Sequence, residues 1–101
     1  GWQGRAGDAV KVRGMFLHPR QAGAVLARVP GVARYQFVIT RAEHLDHLTC
    51  RVVPAPDADP AALRETIAAA IRDGLKFRAD VEMVETLPDG APPLVDERTW
   101  E

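Results

Sequence analysis

A chain of 101 residues with 47% hydrophobic and 27% charged side chains has the balance of one ordinary globular domain. Thirteen Lys and Arg against fourteen Asp and Glu leave a formal charge of −1, which removes any bulk attraction toward nucleic acid or an anionic membrane. At this size folding hides roughly two thirds of the unfolded chain's surface, so a ligand is expected on a surface or between domains rather than in an enclosed cavity.

The single cysteine, Cys50, excludes an internal disulfide, and no run approaches the roughly 20 apolar residues that span a bilayer. The chain opens at Gly1-Trp2-Gln3-Gly4-Arg5 without Met and without a basic-then-apolar leader. Together these features point to the cytoplasm and to an excised piece of a longer protein.

In chain order, Val10-Lys11-Val12-Arg13 alternates apolar and charged residues before Gly14, and Met15-Phe16-Leu17 resumes the apolar run. This predicts a small hairpin or a kinked strand. Pro19 suits a first helical turn, and Ala22, Val25, Leu26 and Val29 keep helical spacing until Pro30-Gly31 stops it, with Gly23 as a weak point. From Val32 to Thr40 the residues Tyr35, Phe37 and Ile39 share one face of a predicted strand. A charged turn from Arg41 to Asp46 leads to a second strand, His47 to Val53, in which Leu48, Cys50 and Val52 alternate, and the two make an antiparallel hairpin.

Asp59 is placed to cap a helix that starts at Pro60, carries the stripe Leu63, Ile67, Ala70 and Ile71, and meets Gly74 as its expected terminator. Ala79, Val81 and Met83 alternate as a last strand, after which Leu87-Pro88-Asp89-Gly90 and Pro92-Pro93 predict an extended, mobile tail without regular structure. From Met15 the order is strand, helix, strand, strand, helix, strand. It predicts an α+β fold, a small antiparallel sheet with two helices on one face in a ferredoxin-like split βαβ arrangement, preceded by a short hinge and hairpin.

Few residues suggest chemistry by type and spacing alone. His44 and His47 flank Asp46 in a turn, short of the three or four ligands that zinc normally takes, so no metal site is expected. Cys50 alternates with core residues and reads as packing rather than as a nucleophile. Tyr35 and Phe37 share a face, as base-stacking aromatics do in RNA-binding modules of this strand order, but they lack the accompanying aromatic-glycine cluster and basic face. The segment Gly4 to Gly14 is richer, since Gly7 can absorb a backbone rotation, Arg5 can grip a phosphate or ribose, and Gly14 lets a ligand approach the backbone.

Gly4-Arg5-Ala6-Gly7-Asp8-Ala9-Val10-Lys11-Val12-Arg13-Gly14 resembles the hinge-and-lid motif of adenylate-forming enzymes, Gly-Arg-x-Asp-Asp-x-x-Lys-x-Arg-Gly. The continuation Met15 to Gln21, with Arg34-Tyr35-Gln36-Phe37-Val38-Ile39 and Leu45-Asp46-His47-Leu48, is similar to the phenylacetate-CoA ligase branch. The resemblance implies that the whole chain, 1–101, is the C-terminal lid of a larger ligase, with hinge and lid loop in 1–14, α+β core in 15–86 and tail in 87–101. It implies an N-terminal adenylation domain of the same parent chain as partner, with ATP, Mg and coenzyme A serving the parent enzyme and none bound by the fragment alone. It also implies that Arg5 contacts the nucleotide, that Gly7 and Asp8 form the hinge, and that Lys11, Arg13 and Gly14 face the acyl and coenzyme A channel. The fragment by itself is expected to be inactive.

The tail departs from the family. Gly90-Ala91-Pro92-Pro93-Leu94-Val95-Asp96-Glu97-Arg98 stands where the family has Gly-Lys-x-x-Arg-Val-x-Asp-Arg, so Ala91 replaces the usual catalytic lysine. Two alternatives to a working lid follow from the same residues. One is a degenerate lid kept for regulation or association. The other is a free-standing ferredoxin-like domain that binds a small molecule.

Overall fold

The computed structural model describes residues 9–97. Two short strands, β1 (Val10–Val12) and β2 (Met15–Leu17), precede helix α1 (Pro19–Ala27). The long strands β3 (Val32–Ala42) and β4 (Leu45–Pro54), helix α2 (Pro60–Leu75) and the strands β5 (Asp80–Met83) and β6 (Leu94–Asp96) complete the chain.

Both hairpins turn in two residues. Arg13 and Gly14 have φ of 54° and 80°, and Glu43 and His44 have φ of 54° and 68°. Two consecutive left-handed residues give the backbone twist that matches flanking antiparallel strands. The β3–β4 turn is therefore tighter than the six-residue charged segment expected, with Ala42 paired to Leu45 and Arg41 to Asp46.

Pro19 starts α1, and His18 precedes it in an extended conformation. A Cβ at Gly23 would lie 2.7 Å from the Tyr35 hydroxyl, so the glycine that weakens α1 is what lets β3 approach it. Asp59 caps α2 by accepting from the Ala61 N–H at 3.1 Å. Gly74 does not end α2 as expected. The helix runs on to Leu75 and closes at Lys76, which takes the left-handed conformation at φ 62°. Gly74 instead admits α1, because a Cβ there would sit 2.8 Å from Val25 Cγ2.

The expected α+β class with two helices is present, and the strand pairing refines it. The main sheet runs β5-β4-β3-β6, with only the central pair antiparallel, since β4–β5 and β3–β6 are parallel. Helix α2 carries the chain back over the sheet to the neighbouring position, which makes β5 parallel to β4 without an intervening strand. Strand β2 stays with β1, and the fourth place in the main sheet goes to β6, in a tail expected to lack regular structure. Its prolines end at Pro93, after which Leu94, Val95 and Asp96 can pair with Phe37, Val38 and Ile39.

The core joins both helices to one sheet face. Phe37, Ile39, Cys50 and Val52 are fully buried there with Leu26, Ile67 and Ile71, and Val12 and Leu17 of the first hairpin enter the same cluster. Each large side chain buried in this way contributes about 1.5–3 kcal/mol. By strand alternation Gln36 and Val38 belong to the opposite face, yet they are 7% and 1% exposed.

Candidate functional site

Two segments outside the α/β core carry the residues singled out in the sequence. The first is the β1–β2 hairpin. Lys11 and Phe16 are paired across it on the outward face, and Val12 and Leu17 anchor its inward face. The turn exposes Arg13 and Gly14, and nothing lies within 4 Å of a Cβ built on Gly14. Its backbone is thus open to a ligand or a partner domain.

Arg13 holds a left-handed conformation that costs a side-chain-bearing residue about 1–2 kcal/mol. Asp46 offsets it. The Arg13 N–H donates to Asp46 Oδ2 at 3.0 Å, and Arg13 Nε donates to the Asp46 carbonyl at 2.8 Å. The Arg41 guanidinium lies 3.6 Å from the other carboxylate oxygen. The ends of the two hairpins are thereby joined through one residue. Among the described residues the exposed large hydrophobics are Met15, Phe16 and Leu45, all within three residues of Arg13 or Asp46.

The second segment is the tail. Arg34 donates from Nη1 to the Leu87 carbonyl at 2.7 Å and from Nη2 to the Pro88 carbonyl at 3.0 Å, with Asp89 a further 4.0 Å partner. Gln36 Nε2 donates to the Pro92 carbonyl at 3.1 Å. The backbone completes the attachment, with Phe37 N–H donating to Pro93 and Glu97 N–H to Ile39. The crossing covers the Gln36 side chain, which explains its low exposure.

Between these anchors Pro88 to Ala91 form a turn closed by Ala91 N–H donating to the Pro88 carbonyl at 3.1 Å, with Gly90 at φ 75°. Ala91 supplies no cation to this turn. Arg34 is the cation hydrogen-bonded to this turn. Lys11, Arg13 and Gly14 lie together on the first hairpin, whereas Arg5, Gly7 and Asp8 lie outside the described residues.

Other candidates resolve differently. Burial pushes the Cys50 thiol up to about 12, so it stays protonated at neutral pH and packs in the core. Tyr35 is also raised, first by burial and then by Cys50. Phe37 is fully buried, and Tyr35 meets it edge-to-face at 5.9 Å on the helix-covered face, so this pair is not presented for base stacking. His44 sits in the exposed turn and His47 pairs with Thr40. Among the described residues no group of three or more His, Cys, Asp or Glu is arranged to hold a metal ion, and no helix is long and apolar enough to cross a membrane. A groove of about 330 Å³ beside Gly31 and Leu63 has Asp59 on its rim, but that carboxylate is engaged as the α2 cap.

Asp46, Arg34 and Gln36 were not marked by sequence reasoning as residues that build the site. Asp46 meets a partner 33 positions away, which no local spacing reveals. Arg34 and Gln36 left one trace, since polar residues on the second face of so apolar a strand can be covered by another segment.

No curated protein matches this sequence. Among solved structures, a domain of phenylacetate-coenzyme A ligase from Bacteroides vulgatus ATCC 8482 superposes with a TM-score of 0.83 at 22% identity, over 93% of this chain and 96% of that one. That likeness concerns the fold alone. A 2-hydroxyisobutyryl-CoA ligase in complex with 2-HIB-AMP and CoA, in the thioesterification state, superposes with a TM-score of 0.79 at 28% identity, over 94% of this chain and 22% of that one. The amide bond synthetase McbA from Marinactinospora thermotolerans gives 0.66 at 27% identity, over 85% and 17%. The chain thus spans about a fifth of the length of these two enzymes. Residues 14–89 match the family described as AMP-binding enzyme C-terminal domain, and the chain belongs to that family of C-terminal domains of adenylate-forming enzymes.

Proposed function

We propose that this chain is the mobile C-terminal lid of a cytoplasmic acyl-CoA ligase that activates an aromatic, phenylacetate-like carboxylic acid. In the first half-reaction the acid's carboxylate attacks the α-phosphorus of ATP and expels pyrophosphate, with Mg shielding the phosphate charge. In the second, the thiolate of coenzyme A attacks the acyl carbon and expels AMP. The N-terminal domain of the same parent holds the acid and nucleotide, and the lid turns between two orientations about Gly7 and Asp8.

The observation that carries this reading is the open Arg13–Gly14 turn, on a fold similar to that of a ligase captured with an acyl-adenylate and CoA. Lys11, Arg13 and Gly14 meet the acyl and pantetheine channel in the second orientation, and Arg5 contacts the nucleotide. Domain boundaries follow the same division, with hinge and lid loop in 1–14, core in 15–86 and tail in 87–101.

Ala91 favours a second reading, a degenerate lid that no longer supports adenylation. Loss of one electrostatic donor to developing charge costs about 10²- to 10³-fold in rate. ATP–pyrophosphate exchange with phenylacetate and related acids, on the intact protein beside its Ala91→Lys variant, separates the two. A working ligase exchanges as wild type and faster in the variant, while thioester formation from supplied acyl-adenylate is the same in both. Exchange in the variant alone marks the degenerate lid.

A further inference from the structure

The geometry points to Asp46 as a positioning residue for coenzyme A thioester formation, holding the Arg13–Gly14 turn in the form that meets the pantetheine arm. The inference rests on the reading that this turn faces the acyl and coenzyme A channel.

A hairpin with three residues in each strand is marginal without outside support. Its inward face is secured by Val12 and Leu17, but these lie at the core side and leave the turn itself unsupported. Support at the turn comes from β4. Asp46 accepts the Arg13 main-chain N–H and, through its own carbonyl, the Arg13 side chain. One residue thus fixes both the backbone torsion and the guanidinium of Arg13. The Asp46 side chain is only 12% exposed and has Arg41 beside it, so its carboxylate is itself held in place.

The consequence is a division of labour within the loop. Arg13 Nε is committed to the clasp, and what the turn offers a ligand is the Gly14 backbone and, on the outward face of the hairpin, the apolar side chain of Phe16. That combination suits the pantetheine arm of coenzyme A, whose amides alternate with short aliphatic segments. Gly14 peptide groups can pair with its amides, and Phe16 can cover its methylenes. Displacement of the turn by about 1 Å would separate the thiol from the acyl carbon and can slow the step about 10²-fold.

The test uses the intact ligase and measures its half-reactions separately. Asp46→Ala is expected to lower kcat/KM for coenzyme A by about 10- to 100-fold while leaving pyrophosphate exchange as in wild type, with Tm lowered slightly by the loss of the Arg13 N–H bond. Asp46→Asn keeps an acceptor for the Arg13 N–H and is expected to retain most of the thioester step. Equal losses in both half-reactions, or an unchanged coenzyme A step in Asp46→Ala, would overturn the proposal. Should Asp46→Ala not fold, Asp46→Asn is read the same way, its smaller loss expected only in the coenzyme A step. Amide exchange on the 101-residue chain separates the clasp from the reading beneath it. In whichever of the two variants folds, the Arg13 amide should exchange faster, by about tenfold in Asp46→Ala, with Phe37 and Cys50 unchanged. An unaltered Arg13 amide overturns the clasp itself, whereas a wild-type ligase inactive in both half-reactions overturns the ligase reading and the role assigned to Asp46 with it.

Discussion

The first hairpin and the tail are both short excursions from the same α/β body, and they are fastened by different chemistry. The hairpin is plugged in by apolar side chains, Val12 and Leu17 at 1% exposure each, and braced at its turn by Asp46. The tail is tied by hydrogen bonds from Arg34, Gln36 and the β3 backbone, and its strand β6 leaves Leu94 and Val95 only half-buried. Apolar plugs share the cooperativity of the core, whereas polar ties at an edge open locally. The hairpin should therefore be lost only when the domain unfolds, and the tail should detach alone.

Leu17→Ala tests the first half of that contrast with the largest effect. It should cost about 2–5 kcal/mol in urea unfolding of the whole domain, because the cavity forms in the common core. A loss confined to the hairpin would break the contrast. Arg34→Ala tests the other half. It leaves the Leu87 and Pro88 carbonyls without their charged donor and should cost about 1–3 kcal/mol, felt locally. The expected signature is faster exchange of the Glu97 amide with no change at Ile67 in α2.

The sheet beneath both attachments can be read through Cys50. Its thiol is held protonated in the fold up to about pH 12, while the unfolded chain releases the proton above the ordinary thiol value of about 8.5. The folded state therefore binds more protons in that window. Stability is fully present below it and is lost as pH rises through it, with a slope of up to about 1.4 kcal/mol per pH unit. Cys50→Ala should flatten the slope and leave the smaller part contributed by Tyr35.

The smallest effect compares the two tight turns. His44 and Arg13 occupy left-handed positions, at φ 68° and 54°. His44→Gly should stabilise the domain by about 0.5–1 kcal/mol in thermal unfolding, since glycine takes that conformation without penalty. Arg13→Gly removes the same penalty but also the guanidinium bond to Asp46, so it should bring no gain.

The sequence carried the core well and the attachments poorly. Alternation in Tyr35–Phe37–Ile39 and Leu48–Cys50–Val52, and the stripe Leu63–Ile67–Ile71, are local periodicities, and each element appears where its pattern lies. Gly74 misled because a terminating glycine and a glycine at a helix crossing look alike until Val25 is placed against it. Strand β6 was hidden behind two prolines that shape only the approach to it. The motif singled out Lys11, Arg13 and Gly14, which the structure places together on the first hairpin, and their roles belong to the proposal. Asp46 and Arg34 meet partners 33 and 53 positions away, a distance that only tertiary structure closes.

The most direct measurement is amide exchange in the intact protein, the proposed ligase, loaded with a non-hydrolysable acyl-adenylate, before and after coenzyme A is added. Protection gained at Gly14 to Phe16, with Leu94 to Asp96 unchanged, is the result expected of a lid whose first hairpin faces the coenzyme A channel. Unchanged exchange at Gly14 to Phe16 with bound coenzyme A would contradict it.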